Sequence, residues 1–222
     1  MNGRIRVPAD EALRYLGAPG TDGEIRRMAE EMSGMLENRL SPRWTWRTCR
    51  LERSREGIVL PEAGLTLPGT LAEKMLAECG AAVLLAVTLG AGFDRLEKEW
   101  EARDMARAAV MDACGNAWTE AACDAAEEEI RERFPGKYLT DRFSPGYGDL
   151  PLSLQTDFLR ALDAGKRLGV TANQSFLLLP CKSVTAVIGL ADTPQGAKIR
   201  GCAYCGLREK CEYRKRGETC GT

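Results

Sequence analysis

The sequence predicts an α+β fold with a mostly antiparallel sheet and flanking helices. Three observations carry that expectation. Helical and strand-like stretches are mixed without a strict βαβ alternation. The segment "AAVLLAVTLG" is an almost unbroken apolar run of strand length, as expected for a strand buried on both faces. From about residue 102 to 134 the chain reads as one long helix, stopped by Pro135-Gly136.

Taken in order, "TDGEIRRMAEEMSGMLENRL" opens with a capping-box pattern, Thr21 and Glu24. Ile25, Met28, Met32 and Met35 follow at helical spacing until Ser41-Pro42. "WTWRTCRLE" alternates large and polar residues and reads as a strand. "GIVL" and "LTL" are short strands separated by Pro61 and Gly64. A helix over "GTLAEKMLAEC" is expected to end at Gly80. The buried strand follows, then a short helix at "FDRLEKEW" and the long helix. "LSLQTDFLRALDAGKRLG" reads as one helix with Leu154, Phe158, Leu159 and Leu162 on a face, ending at Gly169. "SFLLLP" and "SVTAVIGLA" read as two strands joined around Pro180-Cys181-Lys182.

The chain has 222 residues, 44% apolar and 28% charged, as is ordinary for a soluble globular protein. Its formal net charge of -1 gives no global electrostatic case for nucleic acid or anionic membranes. No run approaches the roughly 20 apolar residues of a membrane span, and the N-terminus lacks a signal-peptide core. A cytoplasmic location is the expectation. There is no histidine, so metal binding falls to cysteine, carboxylate or backbone. Nine cysteines, an odd number, argue against a disulfide framework. Cys49, Cys79, Cys114, Cys123 and Cys181 read as small buried hydrophobes. Two regions are expected, a domain over 1–198 and a Cys-rich tail over 199–222.

Two stretches of the domain carry chemistry. In the long helix Asp112, Asn116 and Glu120 are four apart and form one polar line. That line is either the solvent stripe of the helix or the wall of a cleft supplying carboxylates to a polar ligand. Gly115 beside it would permit close approach. In "DRFSPGYGDLPLSLQ", Pro145 and Pro151 stiffen the backbone, while Gly146 and Gly148 permit tight turns. Arg142 offers a planar fork suited to a carboxylate, and Tyr147 a stacking face. The alternative is a turn before a helix with a surface arginine.

"RFSPGYGDLPLSLQ" resembles the Arg-x-x-Pro-Gly-Tyr loop of the reactivation domain of cobalamin-dependent methionine synthase. "LGVTANQSFLLLPCKSVTAVIGLA" is similar to that family's Pro-x-x-Ser-Val segment between strands. "AAVLLAVTLGAGFDRL" and "MDACGNAWTEAACDAAEEEI" look like the strand and helix of its stand-alone members. The resemblance spans roughly 71 to 191. It implies a twisted antiparallel sheet and binding of S-adenosylmethionine, whose methyl group, with one electron, returns cob(II)alamin to methylcobalamin. It implies that Arg142 meets the ligand carboxylate and that Pro145, Gly146 and Tyr147 meet adenine and sugar. It places Glu120 where the family has an acidic helix residue; Asp112, on the same polar line, is a further candidate for ligand binding from the spacing. The family's N-terminal acidic residue has no clear counterpart. No cobalamin-binding segment is present, so the corrinoid would come from a partner: methionine synthase or another corrinoid protein, with a reductant protein supplying electrons. No catalytic acid or base is required, because positioning and the cofactor carry the methyl transfer. The expected role is thus accessory to a corrinoid methyltransferase. The alternatives are a regulatory S-adenosylmethionine-binding module or an activator of a different corrinoid protein.

The tail, "GCAYCGLREKCEYRKRGETCG", spaces Cys202, Cys205, Cys211 and Cys220 as C-x2-C-x5-C-x8-C. Four thiols so close together point to a metal. A [4Fe–4S] cluster and tetrahedral zinc can both use such a set, with the cluster preferred on spacing and redox context.

Overall fold

The computed structural model describes residues 5–199 and 215. Two helices, α1 (Ala9–Tyr15) and α2 (Glu24–Arg39), precede four strands, β1 (Arg43–Arg50), β2 (Glu52–Ser54), β3 (Gly57–Leu60) and β4 (Leu65–Leu67). Next come α3 (Thr70–Met75), β5 (Cys79–Thr88), α4 (Ala91–Glu101), α5 (Met105–Arg133) and β6 (Tyr138–Leu139). The last elements are α6 (Gln155–Ala161), α7 (Ala164–Leu168), β7 (Thr171–Ala172), β8 (Leu178–Leu179) and β9 (Ser183–Ala191).

The main sheet has the order β1-β5-β9-β6 and every pair is antiparallel. The α+β expectation therefore holds. β5 sits second from one edge, which explains its apolar run: both faces are covered. Val83, Leu85 and Val87, with Ile188 and Leu190 of β9, face Ala122, Cys123, Ala126 and Ile130 of α5. Ala82, Leu84 and Ala86 point the other way, into a core with Leu76, Phe143, Phe158 and Val187. This period-two division is the ordinary consequence of strand pleating. A third cluster lies among the helices, where Leu13, Met32, Leu36 and Phe93 surround Met111 and Trp118 of α5.

α5, with 29 residues, extends for about 43 Å at the usual helical rise. The carboxylate of Asp104 caps it, accepting from the backbone N–H groups of Ala106 and Arg107. Small side chains where it crosses the sheet let the two approach closely. Trp44 and Trp46 of β1 reinforce the contact: both indole N–H groups donate to Glu129 of α5, at 2.9 and 2.8 Å.

Several local expectations change. Thr21 does not cap α2, whose first turn follows Gly23, and no side chain caps it. Gly80 does not end a helix; α3 stops at Met75 and Gly80 lies within β5, at a register shift between Cys79 and Ala81. The stretch after the loop is not one helix. It breaks at Asp163, which takes φ 51°, and resumes until Gly169 at φ 72°. "SFLLLP" contributes only the two residues of β8, and α1 carried no sequence expectation at all. Cys181 is exposed rather than buried, unlike Cys49, Cys79, Cys114 and Cys123. Gly189 in β9 is required by packing: a Cβ there would lie 2.5 Å from the Cys79 sulfur and 2.8 Å from Thr140. Among the described residues no helix is long and apolar enough to cross a membrane.

Candidate functional site

The loop after β6 is anchored to the sheet before it turns outward. Phe143 exchanges both backbone hydrogen bonds with Val187 of β9, at 3.1 and 2.8 Å, and its ring enters the core. Its neighbour Arg142 therefore points to the opposite face, toward α5. Beyond Phe143 the loop closes on itself. The Gly146 N–H donates to the Leu150 carbonyl (2.8 Å), and the Leu150 N–H to the Tyr147 carbonyl (2.9 Å). Gly146 takes φ 95° and Gly148 φ 54°, conformations that side chains resist. Asp149 ties the loop to α3, accepting from the N–H groups of Thr70 (2.6 Å) and Leu71 (3.0 Å). Those bonds hold its carboxyl down to about 2.

Only 6% of the Arg142 side chain is exposed. Its Nη2 donates to Glu120 at 2.5 Å, and its Nη1 to Asp124 at 2.7 Å and to Glu127. Three carboxylates thus face one guanidinium, leaving a net charge of -2. Burial alone would lower the arginine pKa. The anionic groups around it outweigh burial and raise it, so the charge is permanent. Beneath the cluster, burial pushes the Cys123 thiol up to about 12, which leaves it an inert core group.

A cleft of about 340 Å³ opens beside this cluster. Glu120 and Arg142 form one wall, and Ser144 and Tyr147 of the loop another, with 54% of Tyr147 exposed. Ser183, Val184 and Thr185 of β9 line it as well, with Gln155, Leu178 and Ile199. Thr185 donates to the Gln155 side-chain oxygen at 2.5 Å, fixing both. The size falls in the range of small-molecule sites.

The structure brings Glu120, Arg142 and Tyr147 together at this cleft. Pro145 is buried beneath the loop and Gly146 is exposed in its turn. Asp112 lies elsewhere. Two turns along α5 from Glu120, it meets the Lys182 ammonium at 2.5 Å, and Asn116 accepts from the same ammonium at 2.7 Å. Gly115 gives room not to a ligand but to the Phe93 ring and the Lys182 stem; a Cβ there would lie 2.3 Å from Phe93. The polar line is therefore neither simple solvent stripe nor one cleft wall. It is divided between two cations. Its continuation through Asp124 and Glu127 escaped the sequence reading, although the three-and-four spacing runs on unbroken. So did Ser144, Gln155, Leu178, Ser183, Val184, Thr185 and Ile199. The polar start of an otherwise apolar β9 was the available signal for two of these, Ser183 and Thr185.

Cys202, Cys205, Cys211 and Cys220 lie outside the described residues. Among the described residues no group of three or more cysteines and carboxylates is arranged to hold a metal.

No family model matches the chain, and no curated protein does. Among solved structures, the fold is shared with the MetH reactivation domain bound to AdoHcy (S-adenosylhomocysteine). That domain is 19% identical, at a TM-score of 0.59, over 88% of this chain and 73% of that one. The class of protein is thus set at the level of fold: this chain has the reactivation-domain architecture.

Proposed function

We propose that the cleft between α5, the 142–150 loop and β9 binds S-adenosylmethionine, and that the protein serves reductive methylation of cob(II)alamin on a partner corrinoid protein. The observation that carries this reading is the junction of Glu120, Arg142 and Tyr147 at one cleft, in a fold shared with a domain solved with AdoHcy.

The chemistry of the cleft agrees with that ligand. The cluster beside the cleft, with its net charge of -2, favours a cation, and S-adenosylmethionine brings a sulfonium and an ammonium. Three of the five guanidinium N–H groups of Arg142 serve the carboxylates of α5. The others remain for the ligand carboxylate. Tyr147, exposed over the opening, offers its ring to the adenine, and the backbone of Pro145 and Gly146 adjoins it. Asp112 is assigned no ligand contact. The corrinoid supplies the cobalt nucleophile. This chain's part is to hold the methyl donor in line and to exclude water, which requires no general base.

Titration calorimetry with S-adenosylmethionine tests the site. Saturable binding is expected, weakened about tenfold by Tyr147→Ala, the loss of one aromatic contact. Absence of saturable heat overturns the reading. Methylcobalamin formation on a cob(II)alamin-loaded corrinoid protein tests the reaction. Binding without methyl transfer would mark the chain as a regulatory module instead.

A further inference from the structure

β1 forms one edge of the main sheet, and its pairing with β5 decides which of its backbone groups turn outward. In an antiparallel ladder, residues alternate between exchanging hydrogen bonds with the partner strand and facing away from it. Just past the strand, the Leu51 N–H donates to the Gly80 carbonyl at 3.3 Å, so Leu51 faces β5. Arg50 then faces outward, and its N–H donates to the Glu62 side chain at 3.0 Å. The same alternation turns Thr48, Trp46 and Trp44 outward. Among the described residues, none of these three backbone N–H groups has a partner. Two hollows run along this open stretch. One, of about 500 Å³, is bordered by Arg43, Trp44, Glu129 and Arg167. The other, of about 410 Å³, is bordered by Arg47, Arg160, Asp163 and Arg167, and Thr45 and Trp46 border both. Edge arginines commonly guard a sheet against pairing. Here they are drawn aside: Arg43 donates to the Leu168 carbonyl at 2.7 Å and Arg47 to the Ala161 carbonyl at 3.2 Å. Both guanidinium groups therefore lie on the α6–α7 face and leave the edge itself open.

We propose that the outer edge of β1 is a docking site for an extended, acidic segment of a partner protein, which adds to the main sheet as an antiparallel strand. Main-chain hydrogen bonds to Trp44, Trp46 and Thr48 supply the pairing, and the two faces of the strand supply the selection. Residues of the segment directly opposite these three share their face of the sheet, beside the half-buried indoles, and are apolar. The intervening residues fall on the face of Arg43 and Arg47 and are acidic. Charge decides for that partner. Arg43, Arg47 and Arg167 have no carboxylate partner among the described residues, and Arg167 is exposed. Arg160 is paired with Asp157, and the Glu129 carboxylate is held by the two indole N–H groups. A second copy of the chain fits poorly. β1 carries Arg43, Arg47 and Arg50 and no acidic residue, so pairing it with itself sets like charges against one another. The edge is separated from β9 and the proposed ligand cleft by β5, so both sites can be filled at once. The proposal does not depend on the S-adenosylmethionine reading.

The experiment uses the full chain and a blocked peptide of alternating glutamate and valine. Amide hydrogen exchange, followed residue by residue by NMR, should slow on peptide addition at Trp44, Trp46 and Thr48. Thr45 and Arg47, already bonded to β5, should change little. N-methylation of the peptide's valines, whose N–H groups meet the edge, should abolish binding; N-methylation of its glutamates, whose N–H groups face away, should leave it. Arg167→Glu, at an exposed position that keeps the fold, should weaken binding about tenfold, and a lysine-valine peptide should not bind. Unchanged exchange at the three amides overturns the proposal. So does equal binding of the lysine-valine peptide, or equal tolerance of both N-methylations. Protection of the same amides without peptide, in a chain that sediments as a dimer, would give the edge to a second copy and likewise defeat it.

Discussion

The two ends of the polar line on α5 are neutralised in different ways. At one end Arg142, 6% exposed, gathers Glu120, Asp124 and Glu127. At the other Lys182, 11% exposed, meets Asp112 and Asn116, with its ammonium 5.6 Å from the centre of the Phe93 ring. The planar fork of Arg142 gathers three carboxylates from successive turns, whereas the Lys182 ammonium, with three donors at one point, meets one carboxylate and one neutral amide a turn apart. The arginine end keeps excess negative charge beside an open cleft. The lysine end is closer to neutral and carries its cation over a ring. The same carboxylate spacing thus borders an open cleft at one end and builds a structural clasp at the other.

The largest expected effect is that of Arg142→Ala. It leaves Glu127, only 14% exposed, near Asp124 and Glu120 without a counter-charge. Stability should fall by about 3 kcal/mol, read from urea denaturation. A loss below about 1 kcal/mol would mean the carboxylates relax into water and the two ends do not differ. Arg142→Lys keeps the charge but loses the fork, and should cost about 1–2 kcal/mol, the worth of a charge-assisted hydrogen bond. Equality with wild type would break the contrast. Lys182→Met preserves the stem over Phe93 and removes a pair whose acid is half exposed, so about 1 kcal/mol is expected.

The smallest effect concerns Glu97, beside the lysine end. Burial first, and then the neighbouring Asp112 carboxylate, raise its pKa, although Lys182 opposes them. The folded protein therefore retains a proton that the unfolded chain has released. This contribution is complete below the unfolded pKa of about 4.5 and is lost as pH rises through the higher folded value. Glu97→Gln should flatten the fall in stability from about pH 4.5 toward neutrality relative to wild type. Parallel curves for the two proteins would remove Glu97 from the clasp.

Much of the frame was legible because it follows from periodicity. The run at Ala81–Gly90 had to be a covered strand, and the alanine-rich stretch ending at Pro135 had to be a buried helix. The loop at Arg142–Tyr147 was legible through its proline and glycine chemistry and its resemblance to a known loop. What periodicity cannot give is partnership across the fold. Nothing local shows that Arg142 turns inward to α5; that follows from Phe143 joining β9, a pairing forty-four residues apart in sequence. Gly80 failed as a helix stop because glycine at a strand bulge has the same local signature. Asp163 broke a helix whose apolar pattern runs on through it, since that pattern does not register a left-handed residue.

The paired indoles on Glu129 give the molecule an optical reporter. Trp44 and Trp46 donate to one carboxylate of the helix that also supplies Glu120, Asp124 and Glu127. Indole emission responds to the charge and solvent around it, and the other two tryptophans, Trp100 and Trp118, sit in the separate helical cluster. A ligand that draws α5 by even a fraction of an ångström against the sheet would register in the native fluorescence, with no label attached.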